Sequence, residues 1–147
     1  MLGPKLGPIL WQFAPWRRFD RDDIAAFLDM LPREADGVQL RHALEPRHDS
    51  FRDDAFFELC RARGAAIVFE DSDEFPTIEA DTASFAYARL QRMSEDLATG
   101  YDRAALDKFE TRARSWARDG RDAYIFMING AKVRAPAAAL ALSEMLR

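Results

Sequence analysis

The chain has 147 residues, 48% hydrophobic and 12% aromatic, with a formal net charge of −4. A chain of this size and composition forms one domain with a hydrophobic core and is not disordered as a whole. The net acidity argues against a broadly basic nucleic-acid surface. With a single cysteine, Cys60, no intramolecular disulfide can form. Because the sequence shows neither a signal-peptide core nor a long apolar run, it predicts a cytoplasmic protein without a membrane span.

Predicted strands and helices alternate along the chain. Short apolar runs predict strands, and apolar residues at helical spacing between capping residues predict helices. Asp20 and Asp102 are predicted N-caps, and Gly64 is a predicted left-handed C-cap. The order of the predicted elements is strand 8–13, helix 19–32, strand 38–45, helix 53–63, strand 65–70, strand 84–91, helix 101–120, strand 123–129 and helix 135–147.

This order predicts an α/β fold with about five parallel strands and four helices in a single domain over residues 1–147. Two architectures satisfy it: a small open doubly wound sheet, and part of a (β/α)8 barrel. The spacing of the elements does not choose between them. A complete barrel takes roughly 250 residues, so the chain has room for only part of one.

Several ordered motifs resemble the YecE-like family, catalogued as domain of unknown function 72. They are LGPILWQFAP, EPRHDSF, EDSDEFP, TASFAYARLQ and YIFMINGAK. The resemblance covers nearly the whole chain and implies the later part of a TIM-barrel-like domain, beginning near its fourth strand. The family's early motifs have no counterpart here, so the chain is either a fragment or a shortened protein. The family has no established reaction, and the cofactor is therefore unknown.

Two segments depart from the family pattern. Leu90-Gln91-Arg92 stands where many members have Leu-His-Gly, and Ile128-Asn129-Gly130 stands where many have Asn-Asn-Asp. A histidine, an asparagine and a carboxylate are thereby lost from the expected barrel mouth, which puts a metal-assisted or carboxylate-based mechanism in doubt.

Polar residues at the carboxyl ends of the predicted strands are the candidate site, because function in a barrel collects there. Glu45, Arg47 and His48 form the best cluster. Glu45 is the candidate acid or base, His48 a candidate proton carrier, and Arg47 a candidate anion contact. The alternative is a structural Glu45–Arg47 pair that braces the loop, with His48 in solvent.

Asp71 and Arg89 are the next candidates. Asp71 follows an apolar strand and could orient an arginine or a substrate hydroxyl, although aspartate is also common in turns. If Arg89 faces the barrel interior it must be paired, and Glu45 or Asp71 would be its partner. An internal arginine–carboxylate network is the structural alternative to ligand binding.

The remaining ligand-binding candidates are Gln12, Gln91, Asn129 and Lys132. Loops after the last barrel strands often bind phosphate, and Asn129 and Lys132 lie in such a loop, although a plain turn explains them as well. His42 is expected to be packed or to face outward, and Cys60 to lie in the core. With so few histidines and cysteines we expect no zinc site.

The sequence therefore predicts a pocket for a small anionic or phosphorylated ligand, with acid/base chemistry of the hydrolase or lyase type. The first alternative is a non-catalytic binding or interaction module or a truncated, inactive fragment. Nucleic-acid binding is a third hypothesis, which the overall acidity disfavours. Parallel strands without barrel closure leave open sheet edges, so self-association is also expected.

Overall fold

The computed structural model describes residues 2–128 and 131–147, leaving the side chain of Pro4 aside. The described helices are α1 (Arg21–Met30), α2 (Asp54–Arg63), α3 (Arg103–Trp116) and α4 (Ala135–Met145). The described strands are β1 (Ile9–Gln12), β2 (Glu34–Ala35), β3 (Val38–Gln39), β4 (His42–Glu45), β5 (Ala66–Ile67), β6 (Phe69–Asp71), β7 (Phe85–Leu90) and β8 (Asp122–Met127).

The parallel strands form two three-stranded sheets, with the orders β1-β4-β5 and β6-β7-β8. The predicted class, an α/β fold with parallel strands and four helices, is confirmed for the described residues. Within them the strands do not close into a barrel.

Two predicted strands are divided in the structure. The predicted strand 38–45 is wrong as one element, because β3 turns back on β2 in an antiparallel hairpin. Asp36 and Gly37 have φ values of 50° and 74°, the left-handed backbone that a two-residue hairpin turn needs. The predicted strand 65–70 is divided at Val68 into β5 and β6, which pair in different sheets. The last predicted strand is β8, and its expected final residue, Asn129, lies outside the described residues.

The predicted helix ends depend on local hydrogen bonds. The side chain of Asp20 accepts from the backbone N–H of Asp23, and that of Asp102 accepts from Ala105. Gly64 has a φ of 62° and ends α2 as predicted. The third helix is shorter than its predicted range, because a 3-10 turn with Asp119 at a φ of 59° follows Trp116.

The first compact unit comprises the chain up to Val68 together with Ile78–Ser84. Helices α1 and α2 cover one face of the β1-β4-β5 sheet, and the core between them is rich in phenylalanine. Trp11 and Leu44 are register partners and belong to this core. Because side chains alternate along a strand, their neighbours Gln12 and Glu45 lie on the face away from the helices.

The second unit comprises Phe69–Thr77 and Phe85–Arg147. Helices α3 and α4 pack on the face of the β6-β7-β8 sheet that carries Phe69, Ala88 and Leu90. Glu70 and Arg89 are register partners and point to the opposite face. Asp71 and Leu90 are also partners, on the helix side.

We propose that the chain self-associates through its sheet edges. Strands β1 and β8 each have a described neighbour on one side only, and β8 carries Phe126 with 43% of its surface exposed. Edge strands without protective charges or prolines pair readily with other chains. Size-exclusion chromatography with light scattering should give a mass above the 16.8 kDa of one chain, and Phe126→Lys should lower it. A 16.8 kDa species at every concentration would contradict this proposal.

Candidate functional site

Glu45, the last residue of β4, is fully buried and is held by two side chains. Its Oε1 accepts a hydrogen bond of 2.9 Å from Gln12 Nε2, since the register of β1 and β4 places these residues side by side. The same oxygen accepts from Arg47 Nε and Nη2, each at 3.0 Å. The predicted grouping of Glu45 with Arg47 is therefore present, and Gln12 joins it.

This cluster satisfies a buried carboxylate with charged and amide donors. An ionised carboxylate removed from water is unfavourable unless it is paired and hydrogen-bonded. The side chain of Arg47 is 16% exposed, against 1% for Glu45. Glu45 thus acts as an anchor that fixes the guanidinium, while the acid/base role expected for it stays a prediction.

His48 is held by the following turn and not by Glu45. Its Nδ1 accepts from the backbone N–H of Ser50 at 3.1 Å, which caps the 3-10 turn Asp49–Phe51. Ser50 Oγ lies 2.9 Å from the same nitrogen and accepts from Phe19 N–H at 2.8 Å. Because Nδ1 accepts a backbone hydrogen bond, the neutral ring carries its proton on Nε2.

Asp71, the last residue of β6, anchors a second cluster. It is 4% exposed, and its Oδ1 accepts from Arg92 Nε at 2.9 Å and Nη2 at 2.5 Å. Tyr101 Oη donates to its Oδ2 at 2.9 Å and accepts from Arg92 N–H at 3.0 Å. Asp71 orients an arginine, as predicted, but that arginine is Arg92. The expected partner Arg89 is wrong for Asp71, because the two side chains point to opposite faces of the sheet.

Glu70 is a buried carboxylate that the sequence analysis missed. It is 1% exposed, accepts a hydrogen bond from Gln91 Nε2, and lies in register with Arg89. A glutamine from the neighbouring strand end thus donates to a buried glutamate, the arrangement that also joins Gln12 to Glu45. A glutamate ending an apolar strand was the available signal, since a buried charge needs partners.

The pKa values of Tyr101 and Arg92 follow from the Asp71 cluster. Burial raises the pKa of the Tyr101 phenol above its usual value, and the neighbouring charge of Asp71 raises it further. The hydrogen bond to Asp71 is the main cause that raises the pKa of Arg92. Arg92 appeared in the sequence only as a departure from a family motif, so its role depends on the observed contacts.

The other predicted residues lie apart from these clusters. Lys132 is exposed in the 3-10 turn Lys132–Arg134, and Asn129 lies outside the described residues. His42 is packed in β4, where its Nδ1 accepts from Trp11 Nε1 at 3.0 Å. Burial raises the pKa of the Cys60 thiol to about 12, as expected of a core cysteine. Among the described residues, no three His, Cys, Asp or Glu side chains are arranged to hold a metal ion.

The family of the chain follows from comparison with known proteins. The sequence model of the family described as protein of unknown function DUF72 matches residues 1–147. The chain belongs to the DUF72 family. This confirms the YecE-like resemblance, since YecE-like is the name of the same family. No curated protein matches the sequence.

Solved structures of DUF72 proteins have the same fold as the described chain. A DUF72 protein from Thermotoga maritima MSB8 is 22% identical, with a TM-score of 0.74 over 93% of this chain. One from Enterococcus faecalis V583 is 15% identical, with a TM-score of 0.73 over 95% of this chain. The match spans 56% and 60% of those two chains. None of the helices in the described ranges has the length and apolarity that crossing a membrane requires.

Replacing Glu45 with glutamine should strongly destabilise the protein. Arg47 would keep its charge next to a neutral, buried partner, and breaking such a pair costs about 3 kcal/mol. Urea denaturation would measure the change in the free energy of unfolding. Asp49→Asn is the matched control, because Asp49 pairs with Arg52 on the surface at 3.2 Å and should contribute less than about 1 kcal/mol. Equal losses for the two variants would show that Glu45 is not an anchor.

Tyr101 should remain protonated well above pH 10. Its pKa is raised in the folded state above the value near 10 of an unfolded chain, so its contribution to stability is complete below about pH 10 and is lost at higher pH. The difference between the ultraviolet titrations of the wild type and Tyr101→Phe gives the curve of this phenol. In denaturant its midpoint should return to about 10. A folded-state midpoint near that value would rule out the enclosed Asp71–Tyr101 contact.

Proposed function

We propose that this DUF72 protein binds a small anionic or phosphorylated ligand at the carboxyl ends of its parallel strands, with Arg47 as the principal contact. The observation that supports the proposal is the fixed guanidinium of Arg47, which Glu45 holds through two nitrogen atoms at 3.0 Å. An arginine oriented in advance binds phosphate or carboxylate with little further loss of side-chain freedom.

The position of the cluster favours a binding role. Gln12 and Glu45 end two adjacent parallel strands, on the sheet face that α1 and α2 leave uncovered. In α/β folds, ligands bind beyond the carboxyl ends of the strands. Residues that brace a sheet need not be charged, whereas a buried carboxylate–arginine pair at this end has a use in recognition.

Binding is better supported than acid/base catalysis. Glu45 is fully buried and its Oε1 already accepts from Gln12 and Arg47, so proton exchange with a ligand would require the cluster to open. A hydrolase- or lyase-type reaction with Glu45 as acid or base is the catalytic form of this proposal. A non-catalytic binding module is the second candidate, and the enclosure of Glu45 favours it.

The fold that accompanies this proposal is the later part of a TIM barrel, over the single domain 1–147 that the family resemblance implies. Two features support it: parallel strands alternate with helices along the chain, and in each unit the helices cover only one face of the sheet. In a barrel the other face points inward, which would place Gln12, Glu45, Glu70 and Arg89 inside.

Thermal-shift measurements with inorganic phosphate and a panel of sugar phosphates test the proposed function. A ligand present at about 100 times its Kd stabilises the folded state by about 2.7 kcal/mol, which is a shift of several degrees. Arg47→Lys keeps the ion pair with Glu45 but loses the guanidinium fork, so it should reduce the shift. Arg52→Lys, which alters an exposed pair, is the control.

The proposal fails if no compound in the panel shifts the wild-type melt. It also fails if Arg47→Lys and Arg52→Lys both keep the full wild-type shift. A shift that only Arg47→Lys loses supports binding at the strand ends.

A further inference from the structure

The second unit contains a groove that none of the strand-end residues on the uncovered sheet faces lines. Its volume is about 620 Å³, which lies within the range of roughly 300–1,000 Å³ for small-molecule sites. Helix α3 forms one wall, and the chain that leaves β6 and β7 forms the other. All of its lining residues belong to this one unit.

Apolar and small residues line the interior of the groove. Phe69, Tyr101 and Phe109 are each less than 9% exposed and provide aromatic surface, and Ala105 lies beside them on α3. Gly100 has a φ of 70°, and a Cβ there would meet Met93 Cγ at 3.0 Å. Glycine is therefore required at this point of the wall, and a larger residue would displace its neighbours.

The cations of the groove have distinct environments. Arg92 is 51% exposed and is fixed from below by Asp71, with Asp73 at 3.4 Å from its Nη1. Arg112 places its guanidinium over the ring of Phe69, 4.6 Å from the centroid. Lys108 lies one helical turn before Arg112 and is exposed on the same side of α3.

The acidic residues of α3 do not offset Lys108 and Arg112. Asp107 pairs with Arg103 at 2.8 Å, and Glu110 pairs with Arg114 at 2.9 Å. The residues three and four positions from Lys108 are Ala104, Ala105, Thr111 and Arg112. Two like charges one turn apart repel each other, so a bound anion between them would be favourable.

The carboxylates that line the groove are already engaged. Asp71 and Asp73 both contact Arg92, and Asp102 accepts from the backbone N–H of Ala105 at 2.8 Å to cap α3. The Lys108–Arg112 end of the groove is therefore its positive end, next to the aromatic surface of Phe69 and Phe109.

We propose that this groove binds a small organic anion that joins a phosphate or carboxylate group to a flat, apolar body. Lys108 and Arg112 would hold the anionic group, with Arg92 as an oriented donor on the opposite wall. The apolar body would lie on the aromatic interior. The site is distinct from the one proposed around Arg47, because it lies on the helix-covered side of a different sheet.

Isothermal titration calorimetry with phenyl phosphate tests the groove. The wild type should bind phenyl phosphate more tightly than inorganic phosphate, and benzyl alcohol should not bind measurably. Lys108→Gln and Arg112→Gln should each weaken phenyl phosphate binding about tenfold or more, since each removes a charge-assisted contact. Arg118→Gln removes the same charge from an exposed residue just after α3 and should leave the affinity unchanged.

Circular dichroism melts of the variants confirm that each is folded before titration. The proposal is overturned if phenyl phosphate does not bind the wild type, or if Lys108→Gln and Arg118→Gln have the same effect. Equal affinity for phenyl phosphate and inorganic phosphate would overturn the apolar part of the site.

Discussion

The burial of carboxylates at strand ends is the constraint on which the polar chemistry of this protein depends. Glu45, Glu70 and Asp71 are 0%, 1% and 4% exposed, and each ends or nearly ends a parallel strand. A carboxylate without water must be met by charged or strong donors. Each of the three therefore fixes a side chain from a neighbouring strand end or the following loop, and those side chains are the arginines and glutamines of the candidate sites.

Strand alternation decides which side of each sheet these carboxylates serve. Glu45 and Glu70 lie on faces that the helices do not cover, whereas Asp71 lies on the helix side with Leu90. Adjacent residues in one strand, Glu70 and Asp71, thus belong to different surroundings. This is why the chain supports two separate hypotheses, one at the uncovered strand ends and one in the groove beside α3.

The sequence was sufficient for features that depend on local interactions. The caps Asp20, Asp102 and Gly64 act on backbone groups within a few residues, so residue type and spacing predict them. The grouping of Glu45 with Arg47 was also predictable, because two residues separate them. The family was recognisable because its motifs recur in order along the chain.

Features that depend on strand register were not predictable. The partner of Asp71 is set by which face each strand residue occupies, and this favours Arg92 over Arg89. Glu70 was absorbed into an apolar run, although it is paired with Gln91 across the sheet. Tyr101 was expected to contact Leu106 near the start of a helix, and its hydroxyl instead joins Asp71 to the backbone of Arg92.

A double-mutant cycle between Glu45 and Arg47 measures the central claim most directly. The free energies of unfolding of the wild type, Glu45→Gln, Arg47→Gln and the double variant give the coupling energy of the pair. The account predicts a favourable coupling above about 1 kcal/mol, because each single variant leaves a buried partner unsatisfied and the double variant removes both charges. Effects that add within about 0.5 kcal/mol would contradict it and show that the buried carboxylate does not hold the arginine.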